Sequence, residues 1–123
     1  MKLHLDQSAA QNIFTAYGAG FVQVNATRYE HSVIVSGDSV EAWDVNDLDA
    51  PGATSYSRLV ELRPEIIIIG SGARFRFPSP ATLRPLIDAR IGHEVMDTAA
   101  ACRTYNILLT EGRIVLAALI VGN

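Results

Sequence analysis

The sequence predicts an α/β fold: a three-layer single domain with a central mixed β-sheet of about five strands, helices packed on it, and extra antiparallel strands from the N-terminal third. Three observations predict it. Strand-like segments fill residues 21–43, and the order then becomes helix–strand–helix–strand–helix–strand. Residues 66–69 are four isoleucines with no polar alternate, so that strand needs cover on both faces. Residues 114–121 are apolar throughout and make a second such strand, the last of the chain. At 123 residues the chain fits one domain, able to bury roughly two-thirds of the surface its unfolded form exposes without disulfide or metal.

Residues 1–20 carry little periodic signal. Residues 1–13 read as an N-terminal extension to a domain over 14–123, and the Tyr17-Gly18-Ala19-Gly20 stretch reads as a turn or linker. Phe21-Val22-Gln23-Val24, Val33-Ile34-Val35 and Val40-Glu41-Ala42-Trp43 then read as an antiparallel meander, with Gly37 supplying a positive φ in the turn before Val40. The acidic Pro/Gly loop over 44–55 leads to a helix capped by Thr54 or Ser55, with Tyr56, Leu59 and Val60 facing the sheet. Pro64 ends that helix, because the residue before a proline is pushed out of α geometry. A second helix near 80–90 turns Leu83, Leu86 and Ile87 inward. Pro85 would break a helix beginning at Ser79 but is harmless in a first turn, so the later start near Thr82, or a kink, is expected. Gly92-His93-Glu94-Val95-Met96 is a short strand. Asp97 or Thr98 caps a third helix running through Leu109, and Gly112 supplies the left-handed residue past its end.

Composition excludes several classes. The chain is 49% hydrophobic and 19% charged, the balance of a soluble globular domain. A single cysteine, Cys102, allows no intrachain disulfide and fits a reducing, cytoplasmic setting. The N-terminus resembles neither a secretory signal nor an arginine-rich transit peptide, and no apolar run approaches the ~20 residues of a membrane-spanning helix. The net charge of −3 is uneven: residues 1–62 hold three bases against eight acids, residues 63–123 seven bases against five acids. Neither half has the dense basic stripe of a nucleic-acid binder. The three histidines lack acidic or cysteine partners at metal-ligand spacing, so no metal is expected, nor a cofactor.

The glycine loop after the isoleucines is the first candidate site. A dinucleotide fingerprint needs a third glycine where Phe75 stands, and no Walker lysine follows. A weaker possibility is anion capture: Gly70 and Gly72 let backbone N–H groups approach a ligand, and Arg74 and Arg76 add bidentate donors. The competing reading is an amphipathic extended segment, arginines outward and Phe75 and Phe77 packed inward. The second candidate is the helix start at Asp97 and Thr98, where a strand end meets a helix N-terminus; the competing reading is capping alone. Along that helix, Cys102 reads as a buried structural thiol or, beside Arg103, a reactive one. Asn106 either ties down a loop or holds a ligand. No constellation of catalytic residues stands out.

With those residues in view, the second half resembles the Mth938-like domain family. The string that carries the likeness is Thr98, Cys102, Arg103, Thr104, Tyr105, Asn106, Glu111, Gly112 and Arg113, preceded by "IIIIGSG" and "FPSP". That family includes mitochondrial complex I assembly factor 3 and the adipogenesis-associated Mth938 domain protein. The resemblance, over roughly residues 14–121, implies a central mixed sheet and supplies no enzyme activity, cofactor or catalytic residue. It implies a non-catalytic interaction or assembly protein with protein partners. The alternative is a small anionic-ligand binder or enzyme, its site between the loop of residues 70–76 and the helix start of residues 97–106. Its candidate ligands are Gly70, Gly72, Arg74, Arg76, Asp97, Thr98, Arg103 and Asn106. Nucleic acid is not expected as a partner, and the sequence leaves the oligomeric state open.

Overall fold

A computed structural model describes residues 11–49 and 55–122. The N-terminal third forms strands β1 (Phe14–Gly18), β2 (Phe21–Val24), β3 (Thr27–Tyr29), β4 (Val33–Ser36) and β5 (Ser39–Ala42). They are followed by α1 (Ser57–Glu61), β6 (Ile66–Gly70), α2 (Arg84–Asp88), β7 (Gly92–Met96), α3 (Thr98–Thr110) and β8 (Val115–Leu119). The expected meander divides. Only β4 and β5 join the main sheet, whose order is β5-β4-β8-β6-β7, while β1-β2-β3 make a separate antiparallel sheet. In the main sheet β6 pairs in parallel with both β7 and β8, and β8 pairs antiparallel with β4.

The two apolar runs behave as their patterns require. Ile68 faces one core with Val33, Val35, Ala117 and Leu119, which is closed by α3 and the β1–β2 hairpin. Ile67 and Ile69 face the other with Ile34, Leu116 and Ala118, closed by Trp43, Tyr56, Leu59, Leu83 and Leu86. Successive side chains of a strand point to opposite faces, so a strand between two cores has no polar position left. That makes β6 and β8 the sheet's centre and puts α3 on one face, α1 and α2 on the other.

Several local expectations need correction. Gly37 is not among the positive-φ residues; its turn is closed by the Ser36 hydroxyl, 3.0 Å from Asp38 Oδ1 and 2.7 Å from Ser39 Oγ. Thr54 lies outside the described residues. Ser55 does not cap α1: the N-cap is Tyr56, without a side-chain capping bond, and the Ser55 hydroxyl donates to the Asp44 carbonyl. Helix α2 starts late, with Pro85 in its first turn. It is only five residues long, so Leu83 and Leu86 reach the core while Ile87 is turned outward, 48% exposed. Phe75 and Phe77 do not pack inward; they are 59% and 61% exposed.

The helix ends show one rule with two outcomes. Helix α3 closes on Gly112 at φ +84°, its N–H donating to Leu109 and that of Arg113 to Leu108. Helix α2 closes with the same pair of bonds, Arg90 N–H to Ile87 and Ile91 N–H to Leu86, but the left-handed position is Arg90 at φ +58°. A side chain there costs about 1–2 kcal/mol that glycine does not.

Candidate functional site at the carboxyl ends of the parallel strands

The three parallel strands end level with one another, Gly70 opposite both Met96 and Leu119. Their exits are tied together at the start of α3. The Ser71 N–H donates to the Met96 carbonyl at 2.8 Å, and the Ile120 N–H to the Gly70 carbonyl at 2.9 Å. The Thr98 N–H donates to the Gly72 carbonyl at 2.9 Å. The Thr98 hydroxyl accepts from the Gly72 N–H at 2.9 Å and donates to the Ile120 carbonyl at 2.8 Å. Asp97 caps the helix, Oδ1 accepting from the Ala100 N–H at 2.9 Å. This packing requires Gly70. A Cβ there would lie 2.7 Å from Leu119 Cδ2, 2.8 Å from Thr98 Oγ1 and 3.1 Å from Thr98 Cα.

Above these exits is a cavity of about 310 Å³, walled by residues 72–73, 97–99 and 120–122 below and by the tip of the β1–β2 hairpin, residues 17–21, above. Crevices at the carboxyl ends of parallel strands are where α/β domains bind ligands. The Tyr17-Gly18-Ala19-Gly20 stretch, read from sequence as a turn or linker, thus forms the roof. Gly20, at φ +79°, makes the turn tight. The two roof aromatics each carry an arginine: Arg28 Cζ lies 3.9 Å from the Phe21 ring centroid, and Arg103 Nη1 donates to the Tyr17 hydroxyl at 3.3 Å.

The motif string explains how the roof is held. Asn106 acts as a backbone mimic, Oδ1 accepting from the Phe14 N–H at 2.9 Å and Nδ2 donating to the Phe14 carbonyl at 2.8 Å. The Tyr105 hydroxyl donates to the Asn12 carbonyl at 2.9 Å, and its ring meets Phe14 edge-on at 5.1 Å. With Arg103 on Tyr17, three residues of α3 clamp one strand of the hairpin. Further on, Arg113 Nε donates to Glu65 Oε2 at 2.8 Å, and the Ile114 N–H to Glu65 Oε1 at 3.2 Å, fixing the turn that enters β8. Cys102 faces the core, fully buried. Burial pushes its thiol up to about 12 and outweighs the opposing charge of Arg103, so at neutral pH it is a protonated core side chain.

The structure therefore brings Gly72, Asp97 and Thr98 to one cavity with Gly70 packed beneath. Arg103 and Asn106 brace the roof. Arg74 and Arg76 lie off the cavity on the outer part of the loop, where Arg76 Nη2 is 4.0 Å from Asp47 Oδ1. Sequence reasoning missed Tyr17 and Phe21; their signal was an aromatic on each side of a Gly-Ala-Gly turn. Among the described residues no cluster of His, Cys, Asp or Glu is placed to hold a metal, and no helix is long and apolar enough to cross a membrane.

Fold and site together define a three-layer α/β domain whose third helix clamps an N-terminal hairpin over the parallel strand ends. The chain belongs to the family described as "Protein of unknown function (DUF498/DUF598)", which matches residues 14–120. A Bordetella parapertussis protein of known structure is 38% identical, with a TM-score of 0.84 covering 91% of this chain and 97% of that one. A Bordetella pertussis protein described as a Mth938-like domain is 33% identical, with a TM-score of 0.75 covering 100% and 94%. The bovine protein named NADH dehydrogenase [ubiquinone] 1 alpha subcomplex assembly factor 3 is 35% identical over 120 residues, 96% of this chain and 65% of that protein. This chain thus spans about two-thirds of that relative's length.

Proposed function

We propose that this chain is a non-catalytic assembly protein that binds protein partners during the building of an NADH dehydrogenase-type complex. The observation that carries the reading is the likeness to assembly factor 3 over nearly the whole chain, together with what the motif residues do. Arg103 and Asn106, two of the polar residues that the small-ligand alternative would use, are bonded to the hairpin. Such a domain presents a fixed surface rather than a reactive group. The test is to disrupt the gene in its native host and follow assembled NADH dehydrogenase on native gels. Loss of the complex, with accumulation of subcomplexes and rescue by the gene, is the expected result. Normal assembly without this chain defeats the reading.

A small-ligand reading of the cavity would rest on Asp97, Thr98 and the backbone at Gly72, because the arginines at 74 and 76 lie off its walls. Thermal-shift titrations with inorganic phosphate and with acetate test the anionic version. Stabilisation removed by Thr98→Val would support it; an unchanged melting temperature with both probes would end it.

A further inference from the structure

The cavity under the hairpin tip has a wall of definite chemistry. Tyr17 and Phe21 stand on its roof, and small or aliphatic residues such as Ala73, Ile120 and Val121 make most of the rest. Phe21 is folded across the tip. A Cβ at position 18 would lie 2.7 Å from Phe21 Cε1, so it is Gly18 that lets the ring lie against the backbone. Asp97 is the only charged residue on the wall. Ligand pockets span about 300–1,000 Å³ and are mostly apolar with a few placed polar groups; at about 310 Å³ this one suits a small molecule.

An anion finds few donors here. Gly72 and Thr98 spend their polar groups on each other, the Gly72 N–H on the Thr98 hydroxyl and the Thr98 N–H on the Gly72 carbonyl. The N–H groups of Ala100 and Ala101 go to Asp97, one to Oδ1 and the other to the carbonyl. The positive end of α3 that would attract an anion is therefore largely capped, and a carboxylate stands beside it.

The same bonds leave Asp97 with an acceptor to offer. Oδ1 is taken by the cap, while Oδ2 has no hydrogen-bond donor among the described residues. The side chain is on a half-buried residue, where an opposite charge is attracted more strongly than in open water. The neighbouring bases do not take that place. Arg28 lies off the wall, over the Phe21 ring and paired with Glu30 at 3.0 Å. Arg103, which feels the Asp97 charge, donates to the Tyr17 hydroxyl and is exposed, so solvent and salt screen it. Aromatic faces favour positive charge as well.

We propose that the cavity binds a small organic cation, an amine whose apolar body lies beneath Tyr17 and Phe21 and whose ammonium group meets Asp97. This goes beyond the assembly reading and does not depend on it.

The test is a titration of the full chain, followed by the amide signals of Ala73, Ala99 and Gly122 in nuclear magnetic resonance spectra. The probes are phenethylamine, phenethyl alcohol and hydrocinnamate, which share a ring and differ in the charge of the head. Phenethylamine is expected to give saturable shifts at those amides. The alcohol should bind about tenfold more weakly, as fits the loss of a bond to a charged group, and the acid more weakly still. Asp97→Asn keeps a capping oxygen and so keeps the fold, checked by circular dichroism; it should weaken the amine about tenfold and leave the alcohol unchanged. The probe series on the wild type decides the matter even if that variant fails to fold. Three equal affinities, tighter binding of the acid, shifts confined to other amides, or no binding of any probe overturns the proposal. So does a folded Asp97→Asn that binds the amine as the wild type does. None of these results bears on the assembly reading, which is decided by the complexes seen on native gels.

Discussion

Replacing Asn106 with alanine removes both bonds by which α3 holds β1, and it is the sharpest test of the clamp. The side-chain amide meets the Phe14 N–H and carbonyl at 2.9 and 2.8 Å. Each such bond contributes about 0.5–1.5 kcal/mol net, and a backbone group left without a partner away from water costs about 1–3 kcal/mol. The site is partly buried, so water recovers some of that penalty. The expected loss is about 2–4 kcal/mol in urea unfolding, a large fraction of a typical total of about 5–15 kcal/mol. The chemistry of the loss can be separated from its size. Asn106→Asp keeps an acceptor for the Phe14 N–H but sets a carboxylate against the Phe14 carbonyl, so it is expected to be no better than alanine. Amide hydrogen exchange should speed up in β1 and β2 before the main sheet, because the hairpin is the part released. If Asn106→Ala unfolds within about 0.5 kcal/mol of the wild type, the range of an ordinary surface substitution, the clamp is not what holds the hairpin.

Three further outcomes follow from the same geometry. Gly70→Ala sets a Cβ 3.1 Å from the Thr98 backbone; overpacking of this kind costs about 1–3 kcal/mol, and thermal unfolding should show it, with faster exchange at the Gly72 amide. Arg90→Gly relieves the left-handed strain at φ +58° and should stabilise by about 0.5–1 kcal/mol, the strain removed less the backbone entropy of glycine; unchanged or lower stability would show that the Arg90 side chain matters more than its φ. For Cys102 the thiol ionises near 9.0 in the unfolded chain, while burial makes the folded one hold its proton to about 12. The unfolded state therefore binds fewer protons, and stability falls as pH rises between about 9 and 12; Cys102→Ala, though less stable overall, should lose stability less steeply by about 1.4 kcal/mol per pH unit, read from urea titrations.

What was legible in the sequence was legible for physical reasons. Four isoleucines in a row leave no face for water, and the sheet centre follows from that alone. Pro85 locks its φ and Gly112 tolerates a left-handed one, so they placed the start of α2 and the end of α3. The N-terminal third was harder because alternation reports that a strand has two unlike faces, without reporting which sheet it joins. Val22 and Val24 alternate with polar Gln23 just as Val40 and Ala42 alternate with Glu41, yet β2 lies in the small sheet and β5 in the large one. The choice is made by long-range contacts such as Asn106 with Phe14, separated by 92 residues. Phe75 and Phe77 were misassigned for a related reason: alternation with arginine suggests a buried face only if another layer is present to bury it.

The motif string also changes meaning once its partners are known. A run of Arg103, Thr104, Tyr105 and Asn106 on one helix invites a catalytic reading, since these side chains are the usual donors and acceptors of active sites. Their contacts belong to packing between layers. The Thr104 hydroxyl lies 3.3 Å from the Met96 sulfur, and the other three reach the hairpin. Helical geometry forces this division. Cys102, Tyr105 and Leu109 recur at the core-facing spacing and are buried, while Asn106, one position on, stands at the border where a side chain can bond the neighbouring strand's backbone. Substituting that border residue should loosen the cavity roof and leave the sheet intact, whereas substituting Thr98 should disturb the strand exits themselves. Exchange rates at Phe14 and at Gly72 in the two variants would separate roof from floor, and any partner that depends on the cavity should lose affinity with both.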